Sequence, residues 1–349
     1  MIINTLISTT PPAPAESLHT LRNKHDMRVT ISDRGAALVS WWAPDRYGRV
    51  ADVLLGYADL QDYVANTSYF GAIVGRWANR ISEGRFSLDG SDYLVDRNEG
   101  ENHLHGGLSG FHQALWQTQT EDNSVRFTLE SPSGDSGFPG NLHINVWYRL
   151  DDFGRLAISY EATTDAPTPI NLTAHPYFNL NGGSADISDH LMRINADHYL
   201  KTDAGGIPVD VAAVAGSAFD FRQPAPIGPR LAWPDAQIAL AGGFDHCYCV
   251  RREPDAKPGL LREVARVDDP GSGRRLSVAT TEAGLQFYSG NYLGGVKGRG
   301  SQPYTTHAGF CLEAQAFPNQ INGPEAEAVV LRPGEVYRQR TVYRLTVQA

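Results

Sequence analysis

Turn chemistry interrupts this chain so often that long helices have little room to form. The 349 residues include 35 glycines and 21 prolines, many of them in clusters such as Ser133-Gly134-Asp135, Asp151-Asp152-Phe153-Gly154, Asp269-Pro270-Gly271-Ser272-Gly273 and Arg332-Pro333-Gly334. Such clusters supply the positive φ and preset φ values that reverse a chain. Between them lie short alternating, β-branched or aromatic runs: Val125 to Glu130, Leu142 to Arg149, Leu156 to Ala162, Leu276 to Thr281, Leu285 to Tyr288 and Thr341 to Val347. These read as strands. Sustained i, i+3, i+4, i+7 apolar patterning is scarce, and Tyr57 to Tyr63 reads at most as a short helix. No Gly-x-Gly-x-x-Gly follows a strand and no Walker loop is present, so nucleotide-binding α/β folds lose their main support. The expected class is all-β, one large antiparallel β-sandwich over 18–349. A disordered extension at 1–17, with Thr9-Thr10-Pro11-Pro12-Ala13-Pro14, is expected to precede it.

Charge and cysteine usage narrow the partners. A net charge of −9 with no dense Lys/Arg run argues against nucleic acid and anionic membranes, which repel such a surface. The expected partner is a neutral small molecule, and the chain is read as a monomer or homodimer. Hydrophobic residues at 41% support a substantial core, while no apolar run approaches the roughly 18 residues of a membrane span. Met1 to Ser8 is apolar but lacks a basic leader, so it reads as a poor signal peptide. Three cysteines, Cys247, Cys249 and Cys311, are too few for a disulfide framework. We read them as reduced, in a cytoplasmic protein. No second Cys or His pair completes a metal set with Cys247 and Cys249.

The chemistry lies in a few polar side chains set in apolar surroundings. Glu313 falls within Phe310-Cys311-Leu312-Glu313-Ala314-Gln315, a run that reads as a buried strand with Cys311, Glu313 and Gln315 on one face. A carboxylate there is costly unless paired or functional. His175 is followed by Pro176, Tyr177 and Phe178, an apolar setting that disfavours the imidazolium unless a carboxylate restores it. Its ordinary reading is a core histidine with one hydrogen bond. His103 and His105 are two apart, so on a strand both face the same side. The following Gly106-Gly107-Leu108-Ser109-Gly110 offers no ligand, which disfavours a metal pair. Those glycines instead let backbone approach a ligand beside His105. Asp245, in Gly242-Gly243-Phe244-Asp245-His246, equally describes a turn. Asn79 and Arg80 offer donors for hydroxyls, although a surface salt bridge is the ordinary role of Arg76 or Arg80.

Together these segments resemble the galactose mutarotases, or aldose 1-epimerases. The resemblance rests on Gly75-Arg76-Trp77-Ala78-Asn79-Arg80-Ile81, Leu104-His105-Gly106-Gly107, Asn171-Leu172-Thr173-Ala174-His175-Pro176-Tyr177-Phe178-Asn179-Leu180, Gly243-Phe244-Asp245-His246, Gln286-Phe287-Tyr288-Ser289-Gly290-Asn291 and Gly309 to Gln315. They occur in the family's order from about Leu18 onward. The resemblance implies a mutarotase-type β-supersandwich, with Glu313 as general base and His175 as general acid. It assigns sugar contacts to His105, Asp245, Asn79, Arg80 and Gln286. In the acid–base mechanism we expect, Trp77, Tyr177 or Phe287 offers the sugar ring an apolar face. The resemblance implies no metal and no organic cofactor. Many relatives carry Asn before the histidine and a small residue after it; this chain has Ala174 and Pro176. Three other readings stay open: a glycoside hydrolase using Asp245 and Glu313, a hexose-6-phosphate epimerase with a basic pocket rim, and a non-catalytic sugar-binding module.

Overall fold

The structure, a computed structural model, describes residues 16–252, 259–300 and 302–348. Strands dominate, and the two α-helices, Ile227–Leu231 and Ala236–Ala241, have only 5 and 6 residues. The short helix expected at Tyr57 to Tyr63 is a single 3-10 turn, Leu60–Tyr63. Among the described residues no helix is long and apolar enough to cross a membrane. Of the extension expected at 1–17, residues 1–15 lie outside the described residues. Glu16 and Ser17 are held in place: Arg34 donates to Glu16 Oε1 at 2.5 Å, and the Ser17 N–H donates to Asp33 at 2.9 Å.

Two antiparallel sheets carry the architecture. The larger has nine strands in the order Gln117–Glu121, Ser124–Ser131, Leu142–Leu150, Arg155–Thr164, Tyr337–Val347, Arg274–Thr280, Arg262–Asp268, Leu191–Ile194, Ala225–Pro226. Its patterning is that of a one-faced sheet. Along Leu142–Leu150 the residues Leu142, Ile144, Val146, Tyr148 and Leu150 are buried, while those between them are half-buried or exposed. The all-β antiparallel sandwich expected from the turn-and-strand pattern is therefore the observed fold, and the six expected strands differ from the observed ones only at their ends. A separate four-stranded sheet, Leu18–Arg22, Arg28–Ser32, Leu38–Pro44 and Val50–Asp52, was not anticipated as a unit.

The second sheet orders Pro208–Ala213, Ala196–Thr202, Asp245–Val250, Gly284–Tyr288 and Cys311–Gln315. Its last two strands are buried at every position because both faces are covered. One face presents Leu285, Phe287, Leu312 and Ala314 to the main core. Tyr343 Oη donates to the Leu312 carbonyl at 3.0 Å and Gln339 Nε2 to that of Ala314 at 2.9 Å, tying the sheets together. The opposite face carries Gln286, Tyr288, Cys311, Glu313 and Gln315, since alternate residues point to opposite sides. That polar row is the floor of the site.

Arg76 departs from its expected surface role, being only 2% exposed. Its guanidinium donates to the carbonyls of Ser131, Pro132, Pro139 and Gly140 at 2.8–3.0 Å, and to Ser131 Oγ at 2.8 Å. Burial pulls its pKa down to about 10, against the opposing pull of Asp135 and Asp165. The cation thus ties together a loop by four of its carbonyls, and it anchors the segment that runs on to Asn79 and Arg80.

Candidate active site

His175 reaches the site on an extended segment. Thr173–Ala174 pairs with Ile73–Val74, and the His175 N–H donates to the Ala72 carbonyl at 3.0 Å. Its Nε2 lies 3.6 Å from Glu313 Oε1, with both side chains buried. Glu313 Oε2 has no partner. On the far side of the ring, His175 Nδ1 is 3.5 Å from Cys311 Sγ. The three cysteines are free thiols, as expected.

His105 arrives by a sharper turn. It has φ +51°, and Gly106 follows with φ +90°. A Cβ on Gly106 would sit 1.8 Å from the Gly75 carbonyl oxygen, so only glycine fits there. The positive φ breaks strand alternation and separates the two histidines expected on one face. His103 instead packs its ring on Phe138 and meets the Asp96 carbonyl through Nδ1 at 2.9 Å. The Asn79 N–H donates to His105 Nδ1 at 3.2 Å. In a neutral ring this assigns the proton to Nε2, leaving that nitrogen a donor.

The strand Asp245–Val250 lies beside Gly284–Tyr288, with Cys247 opposite Gln286 and Gln286 opposite Glu313. Gln286 Nε2 donates to Asp245 Oδ1 at 2.7 Å, while Asp245 Oδ2 lies 3.8 Å from Arg80 Nη1. Arg80 is also gripped by Glu99, Nε to Oε2 at 2.5 Å and Nη2 to Oε1 at 2.7 Å. These groups surround a cavity of about 360 Å³ that Asn79, Arg80, His105, His175, Asp245 and Glu313 help to line, with Tyr177 in its wall. That is the low end of the ~300–1,000 Å³ range of ligand clefts. Gln286 stands behind Asp245 rather than on this wall. The expected apolar faces need correction: Trp77 and Phe287 are fully buried. Trp77 donates Nε1–H to the Arg80 carbonyl and Phe287 packs on Phe244.

Burial dominates the electrostatics. It pushes the Glu313 carboxyl well above its ordinary value, Asp245 adding to the rise and Arg80 opposing it. It pulls His175 down to about 4 and His105 well below the usual imidazole range, where the neighbouring His175 and Arg80 add to the effect. For Arg80, burial lowers the pKa but Asp245 and Glu99 outweigh it, so the guanidinium is held firmly charged. The two shifts favour a protonated Glu313 beside a neutral His175, so the pair carries one proton on the carboxyl and no net charge.

His105, His175 and Glu313 also bring one ligand atom each within 4.8 Å of one another. Their chemistry fits a metal poorly. His105 Nδ1 already accepts a backbone N–H and its Nε2 carries the proton, so no lone pair remains for an ion. The Arg80 cation, felt by both His105 and Glu313, opposes a second cation.

The chain matches the family model described as aldose 1-epimerase over residues 17–344. It is 44% identical to a galactose mutarotase from Sus scrofa over 324 residues, covering 92% of each chain. It is 40% identical to an aldose 1-epimerase from Escherichia coli (strain K12), covering 99% of this chain and all of the other. Among solved structures it resembles a GalM/aldose epimerase homologue from C. elegans, with TM-score 0.88, 28% identity and coverage of 96% and 100%. A galactose 1-epimerase from Lactobacillus acidophilus NCFM gives TM-score 0.82 at 28% identity, with coverage of 97% and 100%. The chain belongs to the aldose 1-epimerase family.

In this chain Ala174 pairs with Ile73 and Pro176 follows the histidine, which keeps the segment extended. The residue before a proline is driven from helical geometry, and His175 stays in register with Ala72. Glu99, Tyr69 and Tyr288 are among the wall residues that escaped the sequence reading. Glu99 sits in Arg97-Asn98-Glu99-Gly100, which reads as a solvated turn. Tyr69 has φ +57° in a loop, its ring 4.7 Å from that of His105 and 4.6 Å from that of His112. Tyr288 was legible: it shares a strand face with Gln286, by the same alternation that singles out Glu313.

Proposed function

We propose that the protein interconverts the α and β anomers of a free aldose, such as galactose or glucose, by acid–base ring opening and reclosure. The observation that carries this reading is the buried His175–Glu313 pair, 3.6 Å apart on the wall of a small cavity. Moving its one proton from Glu313 to His175 Nε2 creates a carboxylate base and an imidazolium acid. Arg80, whose charge favours the ionised form of Glu313, promotes that arrangement. Glu313 then takes the O1 proton while His175 protonates the ring oxygen, and the C1–ring oxygen bond breaks to leave an open-chain aldehyde. The pair has now returned to neutral carboxyl and neutral imidazole. Rotation of the aldehyde and the reverse transfers close the ring on the other face, with no net change in protons. His105 Nε2–H and Arg80 stabilise charge on the ring oxygen, and Asp245 and Asn79 hold hydroxyls. Tyr177 and Tyr69 offer apolar ring faces.

The activity test follows freshly dissolved α-galactose, glucose, xylose, arabinose and fucose by polarimetry, before and after chelator treatment. Faster equilibration than buffer for at least one sugar, unchanged by chelator, is expected. No acceleration for any sugar would sink the proposal, and activity lost to chelator but restored by metal would replace it with a metal mechanism. The hydrolase reading asks for an Asp245–Glu313 carboxylate pair, whereas Asp245 is committed to Gln286 and Arg80. The three free cysteines fit a reducing, cytoplasmic setting.

The protonation scheme makes a pH prediction. Activity requires the pair to hold one proton. Below about pH 4 His175 takes a second, and above the raised Glu313 pKa the first is lost. The kcat/KM profile is therefore expected to have its acid limb near pH 4 and its alkaline limb well above the ordinary carboxyl value of 4.5. An acid limb at the ordinary imidazole value of 6.5 would contradict the scheme.

A further inference from the structure

We propose that Glu99 is a specificity residue that seats its own carboxylate in the anion-binding fork of Arg80, restricting the cleft to uncharged sugars. The proposal rests on the sugar 1-epimerase reading. An arginine on a cavity wall is ordinarily a receptor for phosphate or carboxylate, because its planar donors match two oxygens at once. Here that fork is filled from within, by the 2.5 and 2.7 Å contacts of Glu99 with Nε and Nη2. Asp245 lies 3.8 Å from the remaining terminal nitrogen.

The surroundings point the same way. A second lobe of about 400 Å³ adjoins the first, and Arg80, Glu99 and Asp245 line both. Glu101 and Asp203 add two more carboxylates to the second lobe. Among the described residues lining either lobe, Arg80 is the one Lys or Arg. An anionic substituent entering the cleft therefore meets carboxylates and an arginine already engaged. Glu99 is not placed for proton transfer, since the reacting groups are His175 and Glu313. It excludes by repulsion rather than selecting by attraction.

The test compares each neutral sugar with its charged counterpart, glucose with glucose 6-phosphate and galactose with galacturonate, in the parent protein and in Glu99→Gln. Gln keeps the length of Glu and one oxygen for Arg80 but removes the charge. The ratio of kcat/KM for charged over neutral sugar is expected to rise by about tenfold or more. An active Glu99→Gln protein with an unmoved ratio overturns the filter. Should that variant fail to fold, the parent's own salt dependence decides. Discrimination against the charged sugar is expected to narrow between about 0.01 and 1 M ionic strength, where the screening length falls from ~30 to ~3 Å. Discrimination independent of salt overturns the proposal. A parent protein inactive on every neutral sugar would refute the epimerase reading itself, an outcome distinct from either of these.

Discussion

Glu313→Gln is expected to lower kcat by about 10²–10⁴-fold, the span that one positioned acid or base supplies. Gln preserves the shape of the carboxyl group but accepts no proton, so KM should move far less than kcat. His175→Asn should lose a comparable factor. Because the two act on one proton, the double variant should be little worse than the worse single one. Asp245→Ala should instead raise KM, since its proposed work is to hold hydroxyls while Gln286 and Arg80 orient it. Near-normal kcat in Glu313→Gln, with a dead Asp245→Asn, would move the base to Asp245. The same variant carries a stability signature of opposite sign. Folded Glu313 retains its proton above pH 4.5, where the unfolded chain releases it. Fewer protons are then bound in the unfolded state, so this group costs stability as pH rises through that window. The melting temperature of Glu313→Gln should exceed the parent's by a margin that widens with pH above 4.5. Loss of function with gain of stability is the mark of a carboxylate buried for chemistry rather than for packing.

Arg76→Met is expected to destabilise the fold by about 3–5 kcal/mol, among the largest single-residue effects available outside the apolar core. The guanidinium donates to four carbonyls and the Ser131 hydroxyl. Met fills a similar volume yet removes the guanidinium donors from these acceptors, of which the Pro132 carbonyl keeps the Asp135 N–H, and each buried group left unsatisfied costs about 1–3 kcal/mol. Arg76→Lys should recover only part of the loss, because an ammonium has three donors and no planar fork. Denaturant midpoints with their slopes, for parent and both variants, measure this directly. A Met variant as stable as the parent would mean that the loop from Ser131 to Gly140 relaxes to water without cost.

The strand character of this chain was legible because its cause is local. Period-2 alternation along Leu142–Leu150 and turn clusters such as Asp151 to Gly154 act within a few residues. Glu313 was legible for the same reason: a carboxylate amid Phe310, Cys311, Leu312 and Ala314 has no comfortable ordinary role. His175 and His105 were legible as candidates through their apolar or glycine-rich neighbours, and the resemblance to aldose 1-epimerases joined them into one site. Local pattern also misled. Trp77 and Phe287 were candidate platforms for a sugar ring, but both side chains are buried in hydrophobic clusters. His103 and His105 looked like one face until the left-handed turn at His105 divided them.

What local pattern does not contain is which distant residues share a charge. The pairing of Glu99 with Arg80, the clasp of Arg76 on the 131–140 loop and the 3.6 Å approach of His175 to Glu313 span 19, 55–64 and 138 residues of chain. Each depends on how the sheets and loops pack against one another, and Coulomb and hydrogen-bond energies at those distances are set by packing alone. Alternation and turn residues dictated an antiparallel β-sandwich with one costly carboxylate in a buried strand. Only the folded arrangement decided that this carboxylate would face a histidine 3.6 Å away, and that the neighbouring arginine would already have its anion.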